Sequence, residues 1–398
     1  MRGALIESNA PGSLSPRETL WLTGAGLSLI AACYGLARFA YGLFMPVFRS
    51  EFALDAAMAG AIASGSYASY CAAIALSTAL SPRFGGRLLS IGAGVIATIG
   101  VLMIAVAPNT VILTIGVVIA GSSTGVASPP LAHAVAHTVR RSRRNRVQTV
   151  INAGTGVGVA TAGPIALLTQ EHWRSAWLVF AVLCAAVTLW AAAAVPSGPV
   201  RRSRHGASGT LLPRPFLPTG SRPLIAAAAL MGISSSTVWT FGRDVLVTVG
   251  GMSDTASTAA WILLGAFGAL GAAAGDLTRR LGMRLTWHTI MLIMGVATGL
   301  FAVFPGHVVL ASIAAATFGA AYISLTGVLL IWGTEVYADA PSTGVGLAFL
   351  VIALGQAAGS TVLGAVSEVA TAQTAFVAAA LLAVCGSLIR PTSTARNG

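Results

Sequence analysis

Twelve apolar runs dominate the chain, each close to the roughly 20 residues that an α-helix needs to cross a hydrocarbon core. They fall near 19–48, 56–80, 88–107, 110–134, 147–168, 174–195, 223–248, 256–276, 285–304, 307–333, 343–367 and 371–389. In lipid every backbone N–H and C=O must be satisfied internally, so runs of this length predict helices rather than open strands. Composition agrees: 56% of the 398 residues are hydrophobic and 9% charged, against roughly 25% charged in an average soluble domain. The expected fold class is an all-α integral membrane protein with twelve transmembrane helices.

The arginines test that count. All 23 basic residues are arginine. With both termini on one side, nineteen of them fall on that side and three (Arg49, Arg174, Arg243) on the other, leaving Arg38 inside a span. Cytoplasmic loops carry the positive excess, so both termini are expected in the cytoplasm. The absence of lysine removes a phosphate-loop lysine and any lysine nucleophile. The net charge of +12 resides in short loops, not on a basic amphipathic face, so nucleic acid is not an expected partner. Cys33, Cys71, Cys184 and Cys385 lie in four different apolar runs without metal or disulfide spacing.

The longest polar stretch, 196–222, contains five arginines and five prolines and reads as a linker. It divides the chain into a tail (1–18), a six-helix bundle (19–195), a second six-helix bundle (223–389) and a short C-terminal tail (390–398). A repeat supports the division. Arg83-Phe84-Gly85-Gly86-Arg87 recurs 197 residues later as Arg280-Leu281-Gly282-Met283-Arg284, and the same offset relates Gly158 to Gly355 and Glu171 to Glu368. Two related halves in parallel orientation are a known plan of secondary transporters.

These loops resemble the signature of the major facilitator superfamily, and the resemblance covers essentially the whole chain. The usual loop aspartate is replaced by Pro82 in the first copy and Arg279 in the second, while Gly275 and Asp276 fit the start of the second copy. Gly154, Gly156, Gly158 and Gly163-Pro164 are similar to the family's antiporter signature, with its spacing off by one. The helix-4 arginine of many proton-coupled members is replaced by Val117. Gly35 to Gly42 with Pro46, and Trp173-Arg174, look like the YbfB-like bacterial branch. The resemblance implies two pseudo-symmetric six-helix bundles, a bacterial inner-membrane location, a proton or other ion gradient as partner, a monomer, and no cofactor.

Such a fold places its cavity between the halves, so polar residues inside spans 1, 4, 7 and 10 come first. Tyr34, Arg38 and Tyr41 follow an i, i+4, i+7 pattern on one α-helical face. An intramembrane arginine is costly enough that it faces a cavity or a partner. Arg38 reads as a donor to an anionic group, or structurally as a residue snorkelling to the span's end. Ser236, Thr240, Tyr322 and Thr326 are further binding candidates, the hydroxyls having the alternative of bonding within their own helices. Gating or coupling candidates are Arg83, Arg87, Asn152, Pro164, Asp244, Asp276, Arg280, Arg284, Glu335 and Gln356. Trp332 is expected in an interfacial aromatic belt. His133 and His137 have i, i+4 metal spacing but no third ligand.

The function expected is secondary active transport of a small organic solute by alternating access, proton-coupled by family inheritance, with export favoured by the antiporter-like glycines. Import of an organic anion recognised by Arg38 is the alternative, and a membrane sensor or enzyme the remoter one. No paired carboxylates, histidine cluster or activated nucleophile lies within the spans, so the chain is not expected to be an enzyme.

Overall fold

A computed structural model describes residues 14–169, 172–197, 217–338 and 341–391. Most of the expected tails, most of the 196–222 linker, and Glu171 lie outside the described residues. Eleven described helices have the length and hydropathy to cross a bilayer: α1 (Pro16–Leu43), α2 (Ala56–Ser81), α3 (Arg83–Ala105), α4 (Thr110–Thr138), α5 (Arg146–Leu168), α6 (Trp173–Ala194), α7 (Ser221–Thr248), α8 (Asp254–Leu281), α9 (Met283–Val303), α10 (Val308–Val336) and α11 (Thr343–Val369). The twelfth, α12 (Ala372–Ser387), is apolar but shorter. Its 16 residues rise only about 24 Å.

Polar residues between the apolar runs set the helix starts. Ser15 and Glu18 form a capping box before α1. Asp55, Asn109, Ser253 and Thr371 each accept a backbone N–H in the first turn of the helix that follows. These caps satisfy donors that a helix cannot pair internally. The first run breaks earlier than its hydropathy suggests, because Pro46 opens a separate short helix, Met45–Glu51.

The repeat has a structural counterpart. Gly85, in the first turn of α3, and Gly282, between α8 and α9, break the helical path with φ/ψ of 73°/169° and 80°/155°, a region that only glycine adopts freely. In the first half Gly35 of α1 meets Gly158 of α5, where an added Cβ would lie 2.3 Å from backbone. The positions 197 residues on, Gly232 of α7 and Gly355 of α11, make the matching crossing. Across the halves, α2 packs on α11 and α5 on α8.

α7 and α1 are the most enclosed helices, with 72% and 67% of their apolar stretches buried, which places them at the centre. Large apolar side chains such as Val182, Leu189, Val296 and Leu381 are exposed on peripheral helices. Such a surface suits lipid and not water. Trp332 departs from the expected belt: it is fully buried and packs edge-on against Trp287, whose indole N–H in turn donates to the Gly386 carbonyl of α12.

Candidate functional site

Helix α1 does not run as a regular α-helix past its own midpoint. From Ala31 to Phe39 it winds in π-helical turns, a rare geometry often found at functional sites. The wider turn changes which residues share a face. Ile30, Tyr34, Arg38 and Phe39 line one wall of a central cavity of about 120 Å³, whereas the Tyr41 hydroxyl donates instead to the Ala59 carbonyl of α2 at 3.0 Å. The α-helical spacing that grouped Tyr41 with Tyr34 and Arg38 therefore does not hold.

Arg38 is 7% exposed, and none of the described ion pairs includes it. Its guanidinium lies 4.5 Å and 4.7 Å from the ring centres of Tyr67 and Tyr70, 5.1 Å from Phe39 and 5.9 Å from Tyr34. Ring faces attract a cation but do not neutralise it. Nη2 donates to Gln356 Oε1 at 3.1 Å, and Gln356 Nε2 donates to the Tyr322 hydroxyl at 3.1 Å. Nε is buried with no partner. Arginine on α1 is thereby joined to α11 and α10 of the other half, with one strong donor unused.

The remainder of the cavity extends from Arg38 toward the end of the bundle that carries the chain termini. Asn152, Tyr322, Thr326 and Gln356 line it, as do Ser128, Thr149, Phe349 and Ile352. Tyr34 also bonds Ser128 at 3.0 Å. Ser236 and Thr240 do not reach it. The Ser236 hydroxyl bonds the Ile233 carbonyl of its own helix, and Thr240 bonds Ser360 of α11. Tyr67 and Tyr70 are not among the sequence candidates. The available signal is that four of the chain's six tyrosines, Tyr34, Tyr67, Tyr70 and Tyr322, fall in spans that surround one intramembrane arginine.

The opposite, far end is closed by contacts between the halves. Arg49, beyond α1, pairs with Asp244 of α7 at 2.5 Å, with 5% of the Asp244 side chain exposed. Arg243 donates to the Leu43 carbonyl at 2.7 Å and pairs with Asp254 at 2.5 Å. Asp244 is thus held by a residue 195 positions away and not by its neighbour Arg243. Glu368 accepts the Ala56 N–H at 3.0 Å, and Ser64 bonds Ala357 and Thr361 at 2.6 Å and 2.7 Å. Phe39 stacks on Trp239 with 3.9 Å between ring centres, forming a floor between the cavity and these ion pairs.

The model of the Major Facilitator Superfamily matches residues 27–360. The chain belongs to this superfamily. Solved structures share its fold at low identity. A mutant of the nucleoside transporter NupG has a TM-score of 0.70 at 18% identity, covering 93% of this chain and 98% of that one. A bacterial homologue of the human lysosomal transporter Spinster, inward-facing and occupied, gives 0.75 at 16%, covering 93% and 94%. The peptide transporter POT, in complex with sulfate, gives 0.72 at 16%, covering 94% and 93%. No curated protein matches the chain.

As a facilitator the protein is a transporter and not an enzyme, and its twelve helices are those of the fold. Its signature loops lie at the terminus end of the bundle, where Arg83, Arg87, Arg280 and Arg284 are all exposed. Asp276 pairs with Arg279, the residue that replaces the family aspartate. Glu335 is exposed and lines a separate cavity with Arg279, Arg284 and Arg390. Pro164 lies on an open crevice between α5 and α8, beside Gly156 and Gly265. Among the predicted gating residues, only Asn152 and Gln356 reach the central cavity.

Proposed function

We propose that this facilitator is a monomeric, proton-coupled secondary transporter that carries a small organic solute through the Arg38 cavity by alternating access. The observation that carries the reading is one cavity, lined by both halves, with a buried arginine whose hydrogen-bonding capacity is incompletely used. Its volume of about 120 Å³ is below the roughly 300–1,000 Å³ of sites for drug-sized ligands, which suits a small solute. Arg38, Tyr34, Tyr322 and Thr326 form the binding wall; Asn152 and Gln356 move with it.

The positive excess of the terminus-side loops supports a cytoplasmic location for both termini in a bacterial inner membrane. In that orientation the cavity faces the cytoplasm and the Arg49–Asp244 pair forms the outer gate. Asp244 carries the coupling proton, because neutralising it releases Arg49 and loosens the far end. Export is favoured by the antiporter-like glycines of α5. Import of an organic anion is the second reading, favoured by the lack of a carboxylate partner for Arg38 among the described ion pairs.

Reconstitution into vesicles with an imposed pH gradient tests this. Solute flux should require the protein and the gradient, and Arg38→Ala should abolish it while membrane expression stays intact. Flux unchanged by the protein for every solute and gradient overturns the transport reading.

A further inference from the structure

The cavity wall carries one charge. Among the described residues that line it, Arg38 is the sole ionisable side chain apart from tyrosine; every other polar group there is a hydroxyl or an amide. Burying an unpaired guanidinium is expensive, and the protein offsets that cost only in part. Four aromatic rings flank the cation, and a single neutral carbonyl, Gln356 Oε1, accepts from Nη2. Buried Nε donates to no acceptor. A guanidinium presents donors in a planar fork that matches a carboxylate with two parallel bonds, each stronger than one to a neutral amide.

We infer that the solute is a compact monoanion with an apolar body, whose carboxylate displaces Gln356 from Arg38, so that Gln356 acts as a placeholder in the empty site. This rests on the transport reading only for what the bound anion is used for. One cation and no second one limit the ligand to a single charge. The aromatic cage excludes a cation, because Arg38 already occupies it. The apolar wall of Phe349, Ile352 and Ile323 takes the hydrocarbon portion by burial.

The placeholder has a consequence across the halves. Arg38 belongs to the first half, Gln356 and Tyr322 to the second, and Gln356 bonds both. An anion on Arg38 breaks the link from α1 to α11 while leaving Gln356 to Tyr322 intact. Ligand binding thus acts differently on two states that do or do not hold the link, which is the condition for a ligand to shift their balance.

Calorimetric titration of the full chain in detergent, with benzoate, benzamide and benzylamine, tests the class. Benzoate should bind, and the neutral amide and the cation at least tenfold more weakly. Gln356→Glu installs a permanent carboxylate on Arg38 and should weaken benzoate at least tenfold without loss of folding, since the new pair is internally matched. Gln356→Leu vacates the arginine and should bind benzoate as tightly as the native chain or more so. Benzamide binding equal to benzoate, Gln356→Glu binding like the native protein, Gln356→Leu losing the ligand, or no binding of propionate, benzoate or 1-naphthoate each overturn the inference. Vesicle uptake separates the two readings. Uptake of neutral solutes alone overturns the anion class and leaves transport standing. Benzoate binding without flux of any solute overturns transport and leaves the anion site.

Discussion

Single residues at the far end contribute unequally because their exposure differs. Glu51 accepts from Arg174 at 2.8 Å, and that bond holds its carboxyl below the usual carboxylate range. Its folded pKa is depressed, so its contribution to stability is complete above the ordinary carboxylate value near about 4.3. That contribution is lost as pH falls through the lower folded value. The pair is exposed and worth less than about 1 kcal/mol. Glu51→Gln should lower the melting temperature slightly at pH 7, and the difference from the native chain should vanish in acid; a thermal scan against pH measures it. The Arg49–Asp244 pair, with its carboxylate buried and its guanidinium partly exposed, is the opposite case. Arg49→Ala leaves a carboxylate with 5% of its side chain exposed without its cation, a loss of about 3–5 kcal/mol to the closed far end. Labelling of a cysteine placed behind the pair should accelerate in this variant, and Arg49→Lys should largely restore protection.

At the scale of the element, helix crossings rest on glycine. Gly35→Ala forces a Cβ to within 2.3 Å of the Gly158 backbone, and Gly232→Ala does the same against the Ile352 carbonyl. Each should cost about 1–3 kcal/mol by overpacking, read as a lower melting temperature in detergent. Gly92 of α3 is the control. Nothing lies within 4 Å of its added Cβ, so Gly92→Ala should be neutral or stabilising by up to about 1 kcal/mol. Comparable losses at Gly35 and Gly232 would confirm that the 197-residue repeat is a repeat of packing. The apolar runs locate these helices to within a few residues, since hydropathy and length report directly on lipid contact. The π-helical segment of α1 leaves no such trace. Apart from Arg38, Ala31 to Phe39 has the composition of any apolar helix, and its wide turns depend on what α1 packs against, including the glycine contact with α5. For that reason the regular helical spacing assigns Tyr41 to a face that it does not occupy.

For the whole molecule, the closed far end is a prediction about motion. Ser64 of α2 and Thr361 of α11 approach within 2.7 Å across the halves, close enough for a disulfide between cysteines placed there. In a background without Cys33, Cys71, Cys184 and Cys385, the Ser64→Cys/Thr361→Cys pair should stop transport under oxidising conditions and regain it on reduction. Unimpaired flux in the cross-linked protein would show that the far end need not open.

The order of apolar runs and the internal offset are sufficient for a membrane protein of about twelve helices with an internal repeat, and the facilitator family is legible in the motifs of its loops. Each is a local property of the chain in its solvent, lipid or water, and needs no knowledge of neighbours. Arg38 was conspicuous for the same reason, as a charge where lipid forbids one. Its setting was decided only by the tertiary structure. Gln356 lies 318 residues away, Asp244 turns from its neighbour Arg243 to Arg49, and Tyr67 and Tyr70 come from a helix that the sequence did not single out. These contacts depend on how two six-helix bodies sit against each other. That docking is set by the summed fit of many small-residue crossings, and no single motif encodes it.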